Sequence, residues 1–88
     1  MKQIKYHRQF LKSYSKRVKG NKKLEMKLKE RLNLLLINPE DKMLRKHQLK
    51  GDSSDFMSFS ITGDIRVIYK DYNDSILLID VGSHNQVY

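Results

Sequence analysis

The sequence predicts an α+β fold. We expect an N-terminal strand, a two-helix antiparallel hairpin, and then a mainly antiparallel sheet of three to four strands with both helices on one face. Apolar residues recur at three- and four-residue spacing up to residue 37, which is typical of amphipathic helices. Two such segments are separated only by Gly20-Asn21, which favours a hairpin. After residue 55 the apolar spacing changes to two, which is typical of half-buried strands.

The helical half begins after a weakly alternating segment, Gln3–His7, which we interpret as a short strand. The first helix is predicted over residues 8–19, with the apolar stripe Phe10, Leu11, Tyr14 and Val18. Gly20 suits its C-cap and Asn21 the next N-cap. The second helix is predicted over residues 22–37, ends at Asn38-Pro39, and carries the stripe Leu24, Leu28, Leu32, Leu35 and Leu36. Both stripes are expected to form core rather than a cofactor site.

The first β-hairpin has two possible registers. A two-residue loop, Gly63-Asp64, would put Arg66 on the apolar side, whereas a three-residue loop pairs Ile61 with Ile65. The longer loop separates polar from apolar residues better, and we therefore predict it. It also pairs Phe59 with Val67, and it gathers four polar side chains on an open face of the sheet, namely Ser58, Ser60, Arg66 and Lys70.

The remaining segments are simpler to interpret. Residues 40–55 carry polar and turn signals, with apolar tethers at Met43, Leu44 and Leu49. Ser75–Val81 is the most continuously apolar segment, and we expect it to be a central strand. Gln86–Tyr88 is a candidate for a last short strand.

Composition predicts one domain spanning residues 1–88, without disulfides because there is no cysteine. The beginning lacks the apolar stretch of a signal peptide and no apolar run could span a membrane, so we expect a cytoplasmic protein. Residues 1–50 hold sixteen basic residues against four acidic ones, and residues 51–88 hold two against six. The basic half would attract a polyanion or an acidic protein over about 8–10 Å. A solvated lysine-rich helix surface explains the same pattern equally well.

An arginine and two histidines around an apolar sheet suit proton transfer at an anion. Arg66 can bind two phosphate oxygens and stays charged. His84 and His47, arriving from flanking segments, can act as base or acid near neutral pH. Each residue also has a simpler interpretation: Arg66 as an exposed partner of Ser60 or an ion pair with Asp80, the histidines as turn or loop residues. The histidine spacing predicts no metal site, and no cofactor is expected.

Three segments, in this order and spacing, resemble RelE/YafQ-type toxins of bacterial type II toxin–antitoxin systems. They are His47-Gln48-Leu49-Lys50-Gly51, residues 61–69 (ITGDIRVIY) and residues 82–88 (GSHNQVY). The resemblance covers nearly the whole chain and implies the RelE-like fold. It implies a ribosome-dependent mRNA endonuclease that cuts A-site codons, and a cognate antitoxin with an acidic toxin-binding segment. We therefore expect a hetero-oligomer with the antitoxin, contact with the 70S ribosome and mRNA, and no membrane partner.

By this resemblance His84, His47 and Asp64 match positions of catalytic groups, and Arg66 matches the phosphate-stabilising arginine. Contacts to RNA are assigned to the basic, hydroxyl and terminal aromatic residues Lys46, Lys50, Ser58, Ser60, Lys70 and Tyr88. The chain also departs from the pattern, which has an aspartate and a histidine where this chain has Ser58 and Ser60. The loop before the first hairpin strand is acidic, at Asp52-Ser53-Ser54-Asp55.

Two other classes of function use the same scaffold. The related ParE toxins inhibit DNA gyrase without cutting RNA, and the pairing of Arg66 with His84 argues against that alternative. A decayed toxin would bind its antitoxin only.

Overall fold

The structure, a computed structural model, describes residues 2–49, 51 and 55–87. One sheet and three α-helices make up the described chain. In chain order the elements are β1 (Gln3–Tyr6), α1 (Arg8–Arg17), α2 (Lys22–Ile37), a 3-10 turn (Lys42–Leu44), β2 (His47–Gln48), β3 (Met57–Ser60), β4 (Ile65–Asp71), β5 (Ser75–Ser83) and α3 (His84–Val87).

The sheet has five strands in the order β1-β5-β4-β3-β2. β1 pairs with β5 in parallel, and the other three pairs are antiparallel. The predicted α+β class and the mainly antiparallel sheet are confirmed. β5 lies inside the sheet as expected from its apolar sequence, although the middle position belongs to β4.

Asn21 caps α2 as predicted, whereas α1 ends at Arg17 with Val18 as its C-cap, two residues before the predicted Gly20. Asn21 caps α2 by accepting a hydrogen bond from the Leu24 N–H at 3.3 Å. Gly20 has a φ of 92°, the left-handed conformation that glycine adopts without steric cost. His7 caps α1, because its Nδ1 accepts a hydrogen bond from the Gln9 N–H at 3.0 Å.

The core lies between the helices and one face of the sheet. Phe10 from α1 and Leu28 and Leu35 from α2 belong to one buried cluster. The cluster also contains Val18 just after α1, Ile61 just after β3, Leu44 of the 3-10 turn and the strand residues Phe59, Val67, Tyr69, Ile76, Leu78 and Val81. Leu11 was predicted in the buried stripe, but it is 54% exposed. Met43, predicted as a tether, is 56% exposed, and only Leu44 of that turn is buried.

The predicted hairpin register is confirmed. Phe59 faces Val67, and the Ile61 N–H donates to the Ile65 carbonyl at 2.8 Å. The Thr62 hydroxyl holds the three-residue loop by accepting hydrogen bonds from the N–H groups of Asp64 and Ile65, at 3.2 and 3.0 Å. This register puts Arg66 opposite Ser60 and away from the core.

Three expectations about the second face and its borders are wrong. Residues 84–87 form α3 instead of a last strand. His47-Gln48, expected in a loop, forms a fifth strand against Met57 and Ser58. The face is not open, because Ser58 is fully buried and Ser60 is 5% exposed. α3 contributes to this cover, since its Gln86 lies over Gly82 on that face.

Candidate functional site

The candidate site lies on two neighbouring rows of cross-strand partners. Ser60, Arg66 and Gly82 form one row across β3, β4 and β5. Partners in antiparallel strands project to the same face, and neighbouring strands lie about 4.8 Å apart. The Arg66 side chain therefore lies between Ser60 and the space above Gly82. The second row consists of His47, Ser58, Ile68 and Asp80.

Arg66 and Ser60 both carry buried polar atoms. Within the described part of the chain, neither the Arg66 Nη1 nor the Ser60 Oγ has a hydrogen-bond partner. A buried polar group without a partner costs about 1–3 kcal/mol, and more when it is charged. Such atoms are uncommon in folded proteins and are often kept for function. Arg66 as a whole is only half-buried, so its positive charge stays within reach of an anion at this row.

Arg17 is a second cation at this site, and it was not among the predicted site residues. It is the last residue of α1, and its Nη1 donates to the Val81 carbonyl at 2.9 Å. β1 pairs only with residues 75–78 of β5, so the edge of β5 beyond residue 78 is available to this side chain. Asp80 lies 3.5 Å from the same Nη1 and partly neutralises it.

Gly82 makes room for this arginine. A Cβ at Gly82 would lie 2.7 Å from the Arg17 Nη1 and 2.7 Å from the Gln86 Oε1. Neither distance is compatible with a real side chain, so glycine is required by close approach rather than by its backbone angle. Gln86 is held in turn, since its Oε1 accepts a hydrogen bond from the Ser83 N–H at 2.7 Å. The guanidinium of Arg17 thus reaches the face that carries Arg66.

Buried hydrogen bonds fix the acidic partner of Arg17. The Ser13 hydroxyl donates to the Asp80 carboxylate, and the Val81 N–H donates to the same oxygen at 2.8 Å. Gln9 Nε2 donates to the Ser13 Oγ at 3.1 Å. The predicted alternative of an ion pair between Arg66 and Asp80 is therefore replaced by a pairing of Asp80 with α1.

The two candidate histidines lie on opposite sides of Arg66. His84 is exposed and begins α3, two residues after Gly82. His47 is exposed on β2, at the far edge of the sheet. Three strand spacings of about 4.8 Å separate the backbones of β2 and β5, or roughly 14 Å. An RNA backbone lying over Arg66 could meet one histidine from each side.

The other predicted site residues are less closely grouped. Asp64 is exposed in the hairpin loop, two residues from Arg66. Lys70 lies 4.8 Å from the centre of the Phe56 ring, a cation–π contact. Lys46 lies 3.6 Å from Glu40, away from the Arg66 row. Ser58 is fully buried and cannot contact RNA in this conformation. Two further predicted residues lie outside the described residues, Lys50 and Tyr88.

The described residues offer no metal site and no membrane segment. No group of three or more His, Asp or Glu residues among them is placed to hold a metal ion. None of the helices described is long and apolar enough to cross a bilayer.

The fold is that of the RelE-like class of small bacterial toxins. A sequence profile described as "Bacterial toxin of type II toxin-antitoxin system, YafQ" matches residues 2–88. The chain therefore belongs to the YafQ family of type II toxins. No curated protein matches its sequence.

Solved toxin structures share this fold over their whole length. A copper-bound mutant toxin from Helicobacter pylori superimposes with a TM-score of 0.80 at 24% identity, covering 100% of both chains. YafQ from E. coli gives a TM-score of 0.79 at 24% identity, covering 100% of this chain and 99% of that one. YafQ in the E. coli DinJ–YafQ complex gives 0.77 at 24% identity, with the same coverage. At such identities the likeness shows the fold alone.

Proposed function

We propose that this toxin cleaves mRNA in the ribosomal A site and that an antitoxin neutralises it. The observation that carries the proposal is the arrangement around Gly82. Arg66, whose buried Nη1 has no partner among the described residues, and Arg17 both reach this face, and His84 follows Gly82 by two residues. This set supplies positive charge for a phosphate and a group for proton transfer, which RNA cleavage requires.

In the proposed reaction the chain supplies the base and the acid, and the RNA supplies the nucleophile. A base removes the proton of a ribose 2′-hydroxyl, and O2′ forms a bond to the adjacent phosphorus. The bond from phosphorus to O5′ breaks, and an acid gives a proton to O5′. The products are a 2′,3′-cyclic phosphate and a 5′-hydroxyl. His84 is the main proton-transfer group in this proposal, and His47 and Asp64 assist or orient.

The two arginines are expected to contribute differently to the rate of cleavage. Arg66 stabilises the charge that develops on the phosphate oxygens, which is worth about 10²–10³ in rate for one well-placed donor. Arg17 is partly neutralised by Asp80, so its contribution is expected to be smaller. An acid or base contributes about 10²–10⁴, which is the loss expected for His84→Ala.

The proposed antitoxin partner follows from charge and family. The basic half of the chain, residues 1–50, favours an acidic binding segment. The DinJ–YafQ complex supports a stable hetero-oligomer of this kind.

The test is primer extension on a reporter mRNA in a purified translation system, with and without ribosomes. Wild type is compared with His84→Ala, Arg66→Ala and Arg17→Ala, with Arg8→Ala as the matched control because Arg8 is exposed on α1, outside the site. We expect codon-specific cuts only with ribosomes, lost in the first two variants, reduced in the third and kept in Arg8→Ala. Retained cleavage by folded His84→Ala would overturn the assignment of the proton-transfer group. Folded wild type that makes no cuts at any dose, but inhibits gyrase supercoiling, would overturn the proposed activity.

A further inference from the structure

A pocket lies at the end of β3, next to α2. It has a volume of about 290 Å³ and lies between α2, the 3-10 turn and the β3–β4 loop. Among the described residues, the lining includes three cations and no acidic residue: Lys27, Arg31, Met43, Arg45, Ser60, Ile61, Thr62 and Gly63. Three positive charges with no carboxylate in the described lining repel one another, and an anion among them would relieve that repulsion.

Arg31 is the deepest of the three cations. It is only 9% exposed, and its Nη1 donates to the Met43 carbonyl at 2.8 Å. Its Nε is buried and has no hydrogen-bond partner within the described residues. The effective cost of burying a charged group is several kcal/mol unless it is well paired. The guanidinium therefore fixes the 3-10 turn with one nitrogen while its remaining charge is left for the pocket.

Arg45 is held in an unusual conformation at the rim. Its φ and ψ are 47° and 50°, in the left-handed region that a residue with a Cβ adopts at a cost of about 1–2 kcal/mol. Its N–H donates to the Lys42 carbonyl at 3.1 Å and closes the 3-10 turn. Backbone strain of this kind concentrates at functional sites. Here the strained backbone places a second guanidinium, in addition to that of Arg31, in the pocket lining.

The pocket meets the row of Arg66 at one residue, Ser60. Ser60 lines the pocket and is the cross-strand partner of Arg66. The backbones of Ser60 and Arg66 are therefore about 4.8 Å apart, one strand spacing. Arg66 lies on the face away from the core and α2 packs on the other face, so a polyanion would pass the end of β3 to contact both.

We propose that this pocket binds a phosphodiester group of the RNA other than the one being cleaved. The proposal rests on the proposed function, since it assigns a second phosphate position to the same substrate. Guanidinium groups and an ammonium suit a phosphate, because each arginine can hold two of its oxygens. An acidic helix is a poorer occupant, since a helix with its side chains is about 10–12 Å across and exceeds a pocket of this volume.

The test is binding of a 2′-O-methylated RNA decamer, which cannot be cleaved, measured by fluorescence anisotropy over a salt series. Lys27→Ala and Arg45→Asn are compared with Lys23→Ala, which removes a charge from the same helix outside the pocket. Asparagine is chosen because it tolerates the left-handed backbone. For a single strand, each lost phosphate contact lowers the slope of log K against log salt by about 0.7. We expect that loss in both pocket variants and an unchanged slope in Lys23→Ala.

Decamers with one neutral methylphosphonate identify the phosphate. We expect one linkage whose neutralisation weakens wild-type binding as much as Lys27→Ala does, up to about fivefold for one lost exposed ionic contact. The same linkage should have no further effect in Lys27→Ala. Equal losses in Lys23→Ala, no such linkage, or the same Lys27 dependence for decaglutamate would each overturn the proposal. The outcome is separate from cleavage, since the decamer reports binding even if the protein cuts no RNA.

Discussion

Replacing Gly82 by alanine tests whether the site is built by close approach. The new Cβ would lie 2.7 Å from the Arg17 Nη1 and from the Gln86 Oε1, and 3.2 Å from the Arg17 Cδ. Both side chains would have to move. This breaks the hydrogen bond from the Arg17 guanidinium to the Val81 carbonyl, worth about 1.5–3 kcal/mol because its donor is charged. It also breaks the hydrogen bond from the Ser83 N–H to Gln86, worth about 0.5–1.5 kcal/mol. Because both side chains are flexible and can form other contacts, we expect a net loss of about 2 kcal/mol.

The measurement is thermal unfolding of Gly82→Ala beside Gly63→Ala. A loss of about 2 kcal/mol corresponds to about 8–16 °C in a domain of this size. Gly63→Ala should stay within about 0.5 kcal/mol of wild type, because a Cβ there meets nothing within 4 Å. In an Arg17→Ala background the Gly82 substitution should cost less, because one of the two clashes is gone. Equal melting temperatures for the two alanine variants would refute the reasoning.

Three further substitutions test separate parts of the fold by urea unfolding. Tyr69→Phe should stabilise by about 1 kcal/mol, because the buried hydroxyl has no partner in the described chain. Burial raises the pKa of Tyr69, so as the pH rises above about 10 the unfolded chain loses the Tyr69 proton before the folded chain does. The stability of wild type should therefore fall in this pH range, and Tyr69→Phe should lack this loss. Lower stability of the variant at pH 7 would contradict this. Asn21→Ala should cost about 1 kcal/mol through loss of the cap on Leu24, and Asn21→Asp should restore it; equal stability of the two would contradict the cap. Ser13→Ala should cost about 1.5–3 kcal/mol through its bond to Asp80, and no loss would contradict that bond.

The parts of the fold that local pattern determines were predictable from the sequence. The ends of α2 follow from Asn21 and from Asn38-Pro39, and the structure places them as predicted. The hairpin register follows from the alternation of polar and apolar residues, since a slip by one residue would bury Arg66 in the core.

Other features depend on contacts distant in sequence. α3 has only four residues, about one turn, so its sequence shows no repeating apolar pattern. It packs against β4 and β5, and Gln86 is held by its bond to Ser83. β2 has two residues, and pairing with β3 rather than intrinsic preference makes it a strand. Arg17 reaches the site because the pairing of β1 with β5 ends at Leu78, which leaves the next part of the β5 edge free for its side chain. One signal was available: a glycine directly before Ser83-His84 indicates that some side chain passes over it, but not which one.

Cleavage of a messenger with one 2′-deoxynucleotide at the cut position tests the central claim most directly. The all-ribose messenger, bound in the ribosomal A site, should be cut by wild type to a 2′,3′-cyclic phosphate and a 5′-hydroxyl. The deoxy messenger should stay intact under the same single-turnover conditions, because the attacking oxygen is missing. Cleavage of the deoxy messenger, or an intact ribose messenger in the presence of folded protein, would contradict the account.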